Sequence, residues 1–306
     1  MFREKLAEAT DRRHSVLCVG LDPDPRLAPP HLVGQDGWIE RFCLGIIEAT
    51  ADLVCAYKPN LAFFEALGLD GWHGLKRTLD GLPRDLVSIG DAKRGDIGST
   101  AEAYAKALYE VWGFDVVTVS PLLGPDTLEP FLKYKDRGIL ALCKTSNAGS
   151  GTLQDLPVSW NGTTMPLYQS IAHQMAALDA DSSDTGAAGQ IGLVVGATYP
   201  VQAREIRATA PELPFLVPGV GAQQGDVWAA VEAGLDAHGR GIVVNASRGI
   251  TYASRGEDWQ QAARDAATAL HERLEAARQE VQAARRGDHQ VKQEGAGRAS
   301  AQPAAR

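Results

Sequence analysis

The sequence predicts an α/β fold, a (β/α)8 barrel, and two observations support the prediction. Short apolar runs of strand length alternate with helix-like stretches along the chain. Distinctive polar residues follow several of these runs, as expected where one site is built on the C-terminal face of a barrel. A doubly wound parallel sheet is the alternative, because short apolar runs alone do not distinguish the two folds. The length of 306 residues and the hydrophobic content of 44% fit one large barrel or two ordinary domains.

Eight short apolar runs are the predicted strands. Most of them are separated by stretches of helical composition, among them residues 38–51, 99–112 and 201–210. Eight such strand–helix units in about 250 residues match the size of a (β/α)8 barrel. The predicted strands span residues 15–21, 53–58, 86–91, 115–120, 138–144, 190–196, 214–218 and 240–246.

Two segments depart from a compact barrel. Residues 149–189 form a long connection between the fifth and sixth predicted strands, in which we expect a helix over 166–178 that begins at a proline, followed by a polar loop. Residues 258–286 are Ala-rich with interspersed Glu, Gln and Arg, which predicts a C-terminal helical extension. We therefore expect one domain over residues 1–286 and a disordered tail over residues 287–306, which are rich in Gly, Ala, Gln and Arg.

Composition and charge limit the partners of this chain. A formal net charge of -8 argues against broad attraction to nucleic acid, although a local cluster of Lys and Arg can still bind a small anion. Cys18, Cys43, Cys55 and Cys143 have no metal-ligand spacing and apolar neighbours, which predicts buried reduced thiols. No signal-peptide pattern and no apolar run of about 18 residues is present. We expect a cytoplasmic protein with a small-molecule ligand and no membrane partner.

The most informative segment follows the third predicted strand. Side chains two apart on a strand share a face, so Asp91 and Lys93 are expected to point the same way. Asp96 and Thr100 are four apart, at the opening of the next helix, and are expected on one helical face. A lone Asp-X-Lys would ordinarily be a solvated loop, but this segment is richer: Asp91-Ala92-Lys93-Arg94-Gly95-Asp96-Ile97-Gly98-Ser99-Thr100.

Other predicted strands also end in polar residues. Asp22 follows the first strand, in an extended turn that two prolines enforce. Lys58 precedes a proline that ends the second strand, and Ser146 lies in a polar turn after the fifth. Each feature alone is an ordinary turn or surface residue. Together, Lys58, Asp91, Lys93 and Asp96 would form an array of alternating charge.

Such an array has a chemical use. At an effective dielectric of 20, two opposite unit charges 4 Å apart interact by about 4 kcal/mol, which favours Lys93 remaining an ammonium. Desolvated acids would otherwise protonate, so the lysines balance them. An ammonium held over a reacting carbon can stabilise a carbanion and then protonate it.

The seventh and eighth predicted strands are followed by groups suited to phosphate. Barrels often bind phosphate with the loops at these two positions. Gly219 and Gly221 lie in the turn that precedes Gln223. Glycines in such a turn let backbone amides approach an anion closely. Arg248 follows the eighth strand and can bind phosphate through two hydrogen bonds.

These motifs, taken in order, resemble a known enzyme family. Asp-X-Lys-X-X-Asp-Ile-Gly-X-Thr, Lys-Pro-Asn, Pro-Gly-Val-Gly-Ala-Gln and the later Ser-Arg-Gly are similar to the signature of orotidine 5'-phosphate decarboxylase, particularly its longer bacterial type 2 form. The resemblance covers residues 14–255. It implies a TIM barrel and a carboxy-lyase that converts orotidine 5'-monophosphate to uridine 5'-monophosphate and CO2 in pyrimidine biosynthesis, with no metal and no cofactor.

The resemblance also implies roles for individual residues. Lys93 would stabilise the carbanion at C6 and donate the proton, with Asp91 near the departing carboxylate and Lys58 orienting the charges. Asp22 would bind the ribose and Ser146 the base. The family places the second Asp of the motif and the following Thr in the neighbouring subunit's site, so a homodimer is implied. The remaining implied positions are Asp96 and Thr100 across the interface, and Gly219, Gly221, Gln223 and Arg248 at the phosphate.

Two other functions stay open at this level. A magnesium-dependent sugar-phosphate decarboxylase or aldolase of the same superfamily shares the Asp-X-Lys-X-X-Asp pattern, although Lys-Pro-Asn and Gln223 favour the nucleotide enzyme. A non-catalytic nucleotide-binding barrel is the second alternative. It would not require Lys93, because binding alone needs no proton donor.

Overall fold

The computed structural model describes residues 1–181, 187–220 and 226–299, with side chains up to residue 286. Eight parallel strands close into a barrel, in which the last strand pairs with the first, so the predicted fold class is confirmed. All eight predicted runs are strands. The strands are β1 (Leu17–Leu21), β2 (Ala56–Pro59), β3 (Val87–Arg94), β4 (Val116–Val119), β5 (Gly138–Lys144), β6 (Pro157–Trp160), β7 (Thr163–Pro166), β8 (Ile191–Val195), β9 (Phe215–Pro218) and β10 (Ile242–Ala246).

The helices lie outside the barrel, with one exception at its N-terminal end. A π-helical turn, Ala107–Val111, continues the helix that follows β3. The helices are α1 (Phe2–Arg13), α2 (Trp38–Thr50), α3 (Leu61–Ala66), α4 (Gly68–Asp80), α5 (Gly98–Lys106), α6 (Glu129–Leu132), α7 (Gly151–Gln154), α8 (Leu167–Ala180), α9 (Pro200–Thr209), α10 (Val227–Gly234), α11 (Arg248–Thr251) and α12 (Trp259–Ala299). None of the described helices is long and apolar enough to span a membrane.

The barrel has two separate apolar cores. The larger lies between the strands and the surrounding helices. The smaller fills the barrel interior, where Phe2 and Leu6 of α1 pack against inward-facing strand residues such as Ile89 and Val116. Helix α1 therefore closes the N-terminal end of the barrel, and Lys5 holds it there through a 2.7 Å ion pair with Asp115.

The period of the strands places polar side chains above the interior core. Side chains two residues apart on a strand point to the same side. Lys58 follows the interior residue Ala56 by two positions, and Asp91 follows Ile89 in the same way. The C-terminal ends of the strands thus bring charged groups from different strands into one space inside the barrel mouth.

The long connection between the fifth and sixth barrel strands, β5 and β8, contains a hairpin that was not predicted from the sequence. Strands β6 and β7 pair antiparallel, and their two-residue turn is Asn161-Gly162. Both turn residues have positive φ, 47° and 79°, as a type I′ turn requires. Helix α8 follows at Leu167–Ala180, close to the predicted 166–178.

The C-terminal helix packs along the outside of the barrel. Trp259 lies against Phe42 of α2, with ring centroids 5.5 Å apart, and Leu274 and Val281 are buried farther along. The helix extends to Ala299, beyond the predicted end at residue 286 and into the segment where we expected disorder. Residues 300–306 lie outside the described part of the chain.

Candidate active site

A buried ion pair lies inside the barrel mouth. Lys58 Nζ, at the end of β2, is 2.7 Å from Asp91 Oδ2 of β3, and both side chains are at most 10% exposed. An isolated bridge between Asn60 and Asp91 continues the contact between the two strands beyond β2. The pair lies within the barrel wall, so rigid backbone holds both charges in place.

Lys93 completes a cluster of three charges with this pair. Its Nζ forms an ion pair with Asp91 Oδ1, so the Asp91 carboxylate lies between two ammonium groups. Unlike Lys58, Lys93 is half exposed and faces the mouth of the barrel. Its backbone is left-handed, with φ of 49°, and the pairing of β3 with β4 shifts register between Gly90 and Arg94. Simple strand alternation therefore does not explain how Lys93 meets Asp91; a local kink does.

The charges of this cluster shift the pKa values of Asp91 and Lys58. Burial raises the pKa of the Asp91 carboxyl, but Lys58 and Lys93 lower it more, to about 2. Burial lowers the pKa of Lys58, but the neighbouring carboxylates of Asp91 and Asp22 together raise it by more, so the net shift of the Lys58 pKa is upward. Asp91 is thus ionised and Lys58 protonated at neutral pH.

Asp22 lies beside this cluster with an unused oxygen. It is 8% exposed, and its Oδ1 is buried without a hydrogen-bond partner among the described residues. Burial raises the pKa of the Asp22 carboxyl, although Lys58 and Ser247 act in the opposite direction. Gly20 makes room for Ser247, because a Cβ at Gly20 would lie 1.8 Å from Ser247 Oγ. A buried acceptor with a free lone pair can receive a hydroxyl donor from a ligand.

Tyr252, which follows α11, fixes the turn that carries Asp22. Its hydroxyl accepts a hydrogen bond from the Asp24 amide at 2.8 Å and donates to the Asp22 carbonyl oxygen. The Tyr252 ring also stacks on Phe42, with centroids 5.6 Å apart. One side chain therefore connects the loops that follow β1 and β10.

Ser146 lies half-buried in the loop after β5. Gly196, which directly follows β8, allows this loop to pack closely, since a Cβ at Gly196 would lie 2.7 Å from Ser146 backbone atoms. The loop is also held by Gln154, whose side chain exchanges two 2.9 Å hydrogen bonds with Thr145. Lys144, fully buried, pairs with Asp155 at 2.6 Å, so it anchors the loop to the segment after α7.

The predicted phosphate groups are placed only in part. Gly219 follows β9 with φ of 100°, a conformation that favours glycine. Arg248 begins α11 after β10 and is exposed, and its guanidinium pairs with no carboxylate in the described part of the chain. Gly221 and Gln223 lie outside the described residues.

Asp96 and Thr100 do not join the charge cluster within the chain. Helix α5 begins at Gly98, so Asp96 lies in the loop before it rather than on its face. The Asp96 carboxylate accepts a 2.8 Å hydrogen bond from the Ile97 amide, and no Lys, Arg or His described in this chain pairs with it. Thr100 is exposed on the first turn of α5.

Thr118, Ser247 and Tyr252 belong to the site but were not singled out from the sequence. The hydroxyl of Thr118 donates to Asp91 Oδ1 at 3.1 Å, inside the barrel. The signal for Thr118 was a polar residue in phase with the interior position Val116 of an otherwise valine-rich strand. Nothing in the sequence marks Tyr252, because its partners are backbone groups far away in the chain.

The arrangement suits charge stabilisation at one carbon. An anionic carboxylate flanked by two ammonium groups, one of them half exposed, can hold a proton donor at a fixed point beside a ligand. No cluster of His, Cys, Asp and Glu suited to a metal ion occurs among the described residues. The four cysteines are buried and free, as predicted.

Comparison with known proteins gives one family. Residues 15–266 match the family described as orotidine 5'-phosphate decarboxylase / HUMPS. The chain is 48% identical over 252 residues to an orotidine 5'-phosphate decarboxylase of Dehalococcoides mccartyi (strain CBDB1), with 82% of this chain and 89% of that protein covered.

Solved structures agree with the sequence comparison. The OMP decarboxylase of Leishmania donovani has a TM-score of 0.76 and 38% identity, covering 90% of this chain and 98% of that one. The UMP synthase of the same organism has a TM-score of 0.77 and 40% identity. The match spans 90% of this chain and only 56% of the UMP synthase.

Proposed function

The chain belongs to the orotidine 5'-phosphate decarboxylase / HUMPS family, and on that premise we infer that it converts orotidine 5'-monophosphate to uridine 5'-monophosphate and CO2. This reaction forms UMP in pyrimidine biosynthesis. The observation that supports the inference most is the Lys58–Asp91–Lys93 cluster at the barrel mouth. A decarboxylation through a carbanion needs a cation and a proton at the same carbon, and Lys93 offers both.

The chemical step follows from these groups. The bond between C6 and the carboxylate breaks, CO2 leaves, and the electron pair stays on C6. The Lys93 ammonium stabilises the developing negative charge and then transfers a proton to C6, which leaves a neutral amine that regains its proton from water. Lys58 holds Asp91, and Asp91 holds Lys93, so the charges are arranged before the substrate reacts. The sequence of steps uses no metal or organic cofactor.

Substrate binding is distributed over several loops of the same face. The free Oδ1 of Asp22 would accept from a ribose hydroxyl, and Ser146 would contact the base. The exposed Arg248, which pairs with no carboxylate among the described residues, would bind the phosphate, together with the backbone at Gly219. Gly221 and Gln223, which lie outside the described residues, would complete that phosphate site. Binding of the remote phosphate and ribose can be used to hold the base over Lys93.

We propose further that the protein acts as a homodimer. Asp96 lies apart from its own chain's cluster, as expected if it and Thr100 reach the neighbouring subunit's site. An apolar patch beside this loop supports the proposal, because Ile97, Leu122 and Leu123 are 64%, 59% and 53% exposed. The segments that carry these residues are adjacent, since the Ser120 amide donates to the Arg94 carbonyl at 2.8 Å. Exposed apolar side chains of this size commonly mark an interface.

The buried cysteines and the packing of α12 bear on the cellular location and the domain organisation of the protein. We propose a cytoplasmic enzyme, which the four buried, unpaired cysteines support. We also propose that residues 1–286 act as one domain, since α12 packs on α2 and α10 along its described length.

A turnover assay tests the proposed function. The loss of orotidine 5'-monophosphate absorbance would be followed with purified protein in excess EDTA, then with added Mg²⁺, beside sugar-phosphate substrates. We expect turnover in EDTA, with uridine 5'-monophosphate as product. Turnover of a sugar phosphate that requires Mg²⁺ would instead identify the related lyases, and nucleotide binding without any turnover would identify a binding protein.

A further inference from the structure

Thr118 of β4 is a buried hydroxyl at the centre of the charge cluster. Its side chain is 1% exposed. The flanking residues of β4, Val116, Val117 and Val119, are all valines. Valine has nearly the same shape as threonine and a similar preference for strands, so packing alone does not call for a hydroxyl at this position.

The hydroxyl of Thr118 uses its full hydrogen-bonding capacity. Its oxygen accepts from the backbone amides of Ala92 at 3.0 Å and Lys93 at 2.9 Å. It donates to Asp91 Oδ1 at 3.1 Å. A hydroxyl has two lone pairs and one hydrogen, so with both lone pairs occupied by amides the hydrogen is directed at Asp91.

These three bonds hold the part of β3 that departs from regular strand geometry. Lys93 has a left-handed backbone, a conformation that is uncommon for residues other than glycine. One of the two amides that donate a hydrogen bond to the Thr118 hydroxyl is the amide of Lys93. Thr118 and the Lys93 ammonium also bind the same oxygen of Asp91, while Lys58 binds the other.

We propose that Thr118 is a positioning residue for the decarboxylation, a role that rests on the proposed function. It fixes the kink at Lys93 through the backbone and the orientation of the Asp91 carboxylate through its hydrogen. Both ends of the Asp91–Lys93 ion pair are thereby held by one side chain from the neighbouring strand. The substrate does not need to touch Thr118 for this effect.

Two substitutions separate the hydroxyl from the shape of the side chain. Thr118→Val keeps the shape and removes the hydroxyl, whereas Thr118→Ser keeps the hydroxyl and removes a methyl group. We expect Thr118→Val to lower kcat by roughly 10- to 100-fold, because small misplacements of reacting groups have effects of this size. The KM for orotidine 5'-monophosphate and the Kd of uridine 5'-monophosphate should change by less than about threefold, since phosphate and ribose contacts are intact. Thr118→Ser should keep kcat within about threefold of wild type.

A matched control removes a buried threonine hydroxyl elsewhere. Thr78 of α4 is fully buried, and its hydroxyl donates to the Gly74 carbonyl at 2.7 Å, away from the cluster. Thr78→Val should lower stability without lowering kcat. If Thr118→Val does not fold, Thr118→Cys replaces it, because a thiol is a weak donor and acceptor. Thr118→Cys should then show the loss of kcat that Thr118→Ser does not.

The outcomes distinguish this proposal from the proposed function. An active wild type with kcat unchanged in folded Thr118→Val would overturn the positioning role alone. The same holds if Thr118→Ser loses as much kcat as Thr118→Val, because the loss would then follow shape and not the hydroxyl. Absence of turnover in the wild type would overturn the proposed function, and this proposal with it.

Discussion

Lys58 Nζ lies 2.7 Å from Asp91 Oδ2, and both side chains are buried within the barrel mouth. A buried ion pair of this kind stabilises a fold little, because the desolvation of both charges offsets their attraction. The role of this ion pair is to orient the third charge, which is the Lys93 ammonium. With Lys58 on one oxygen of Asp91, the other oxygen is directed at Lys93, and the pair acts as a rigid support for an ammonium that a ligand can reach.

The Asp91 carboxylate should make stability depend on pH in the acid range. Its pKa in the folded state is about 2, below its ordinary value of 3.8, so the stabilisation is complete above pH 3.8 and is lost as pH falls towards 2. Asp91→Asn should be less stable than wild type at pH 7 by about 3 kcal/mol or more, because it leaves Lys58 buried without its partner. Urea unfolding of both proteins between pH 7 and 2.5 should show this difference shrinking below pH 4. A difference that is constant with pH would contradict the coupling.

The ionised Asp22 carboxylate should destabilise the fold at neutral pH and strengthen substrate binding. Burial raises the pKa of this carboxyl, so its ionised form destabilises the fold at neutral pH, and the effect vanishes as pH falls below its ordinary value of 3.8. Asp22→Asn should therefore unfold at a higher urea concentration than wild type at pH 7, and at the same concentration below pH 3.8. Its KM for orotidine 5'-monophosphate should rise by about 10-fold or more through the lost charged hydrogen bond. Lower stability together with unchanged KM would count against a ribose-binding role.

Tyr252→Phe should weaken binding by loosening the Asp22 turn. The hydroxyl bonds to Asp24 and Asp22 are lost, while stacking on Phe42 remains. We expect a loss of about 1 kcal/mol in stability and a KM several-fold higher, with kcat changed less. Tyr109→Phe is the control, because its buried hydroxyl donates to the Gly138 carbonyl at 2.7 Å, at the opposite end of the barrel. Equal KM values for the two variants would rule out a specific role for Tyr252.

A mixed dimer tests whether Asp96 acts across the interface. Lys93→Ala and Asp96→Ala chains, each inactive alone, would be unfolded, mixed in equal amounts and refolded together. Half of the dimers would then contain both chains, and each of these would have one intact site, so about a quarter of wild-type activity should return. Activity that stays at the level of the separate variants would show that both residues act within one chain.

The barrel could be predicted from the sequence because its strands are local apolar runs with clear ends. All eight runs became strands of the closed barrel. The β6–β7 hairpin has a strong turn signal in Asn161-Gly162, but its strands are only four residues long and contain no buried residue, so they lack the apolar runs that mark the barrel strands. The C-terminal helix shows the opposite limit, because composition gave its presence and not its end.

The candidate site was predictable only where side chains come from named motifs. Lys58, Asp91 and Lys93 stand in short patterns at strand ends, and the structure brings them together. Thr118 meets them through strand pairing, and Tyr252 meets the Asp22 turn through a contact between residues 230 positions apart. Such contacts depend on closure of the barrel, which no local pattern encodes.

The most direct test of the central claim is the turnover of Lys93→Ala, measured together with its affinity for uridine 5'-monophosphate. We expect kcat to fall by at least about 100-fold, since a proton donor positioned for a carbanion contributes factors of this size or more. The Kd of the nucleotide should change by less than about tenfold, because Asp22 and Arg248 are intact. A Lys93→Ala protein that retains wild-type kcat would contradict the claim that Lys93 stabilises and protonates the carbanion.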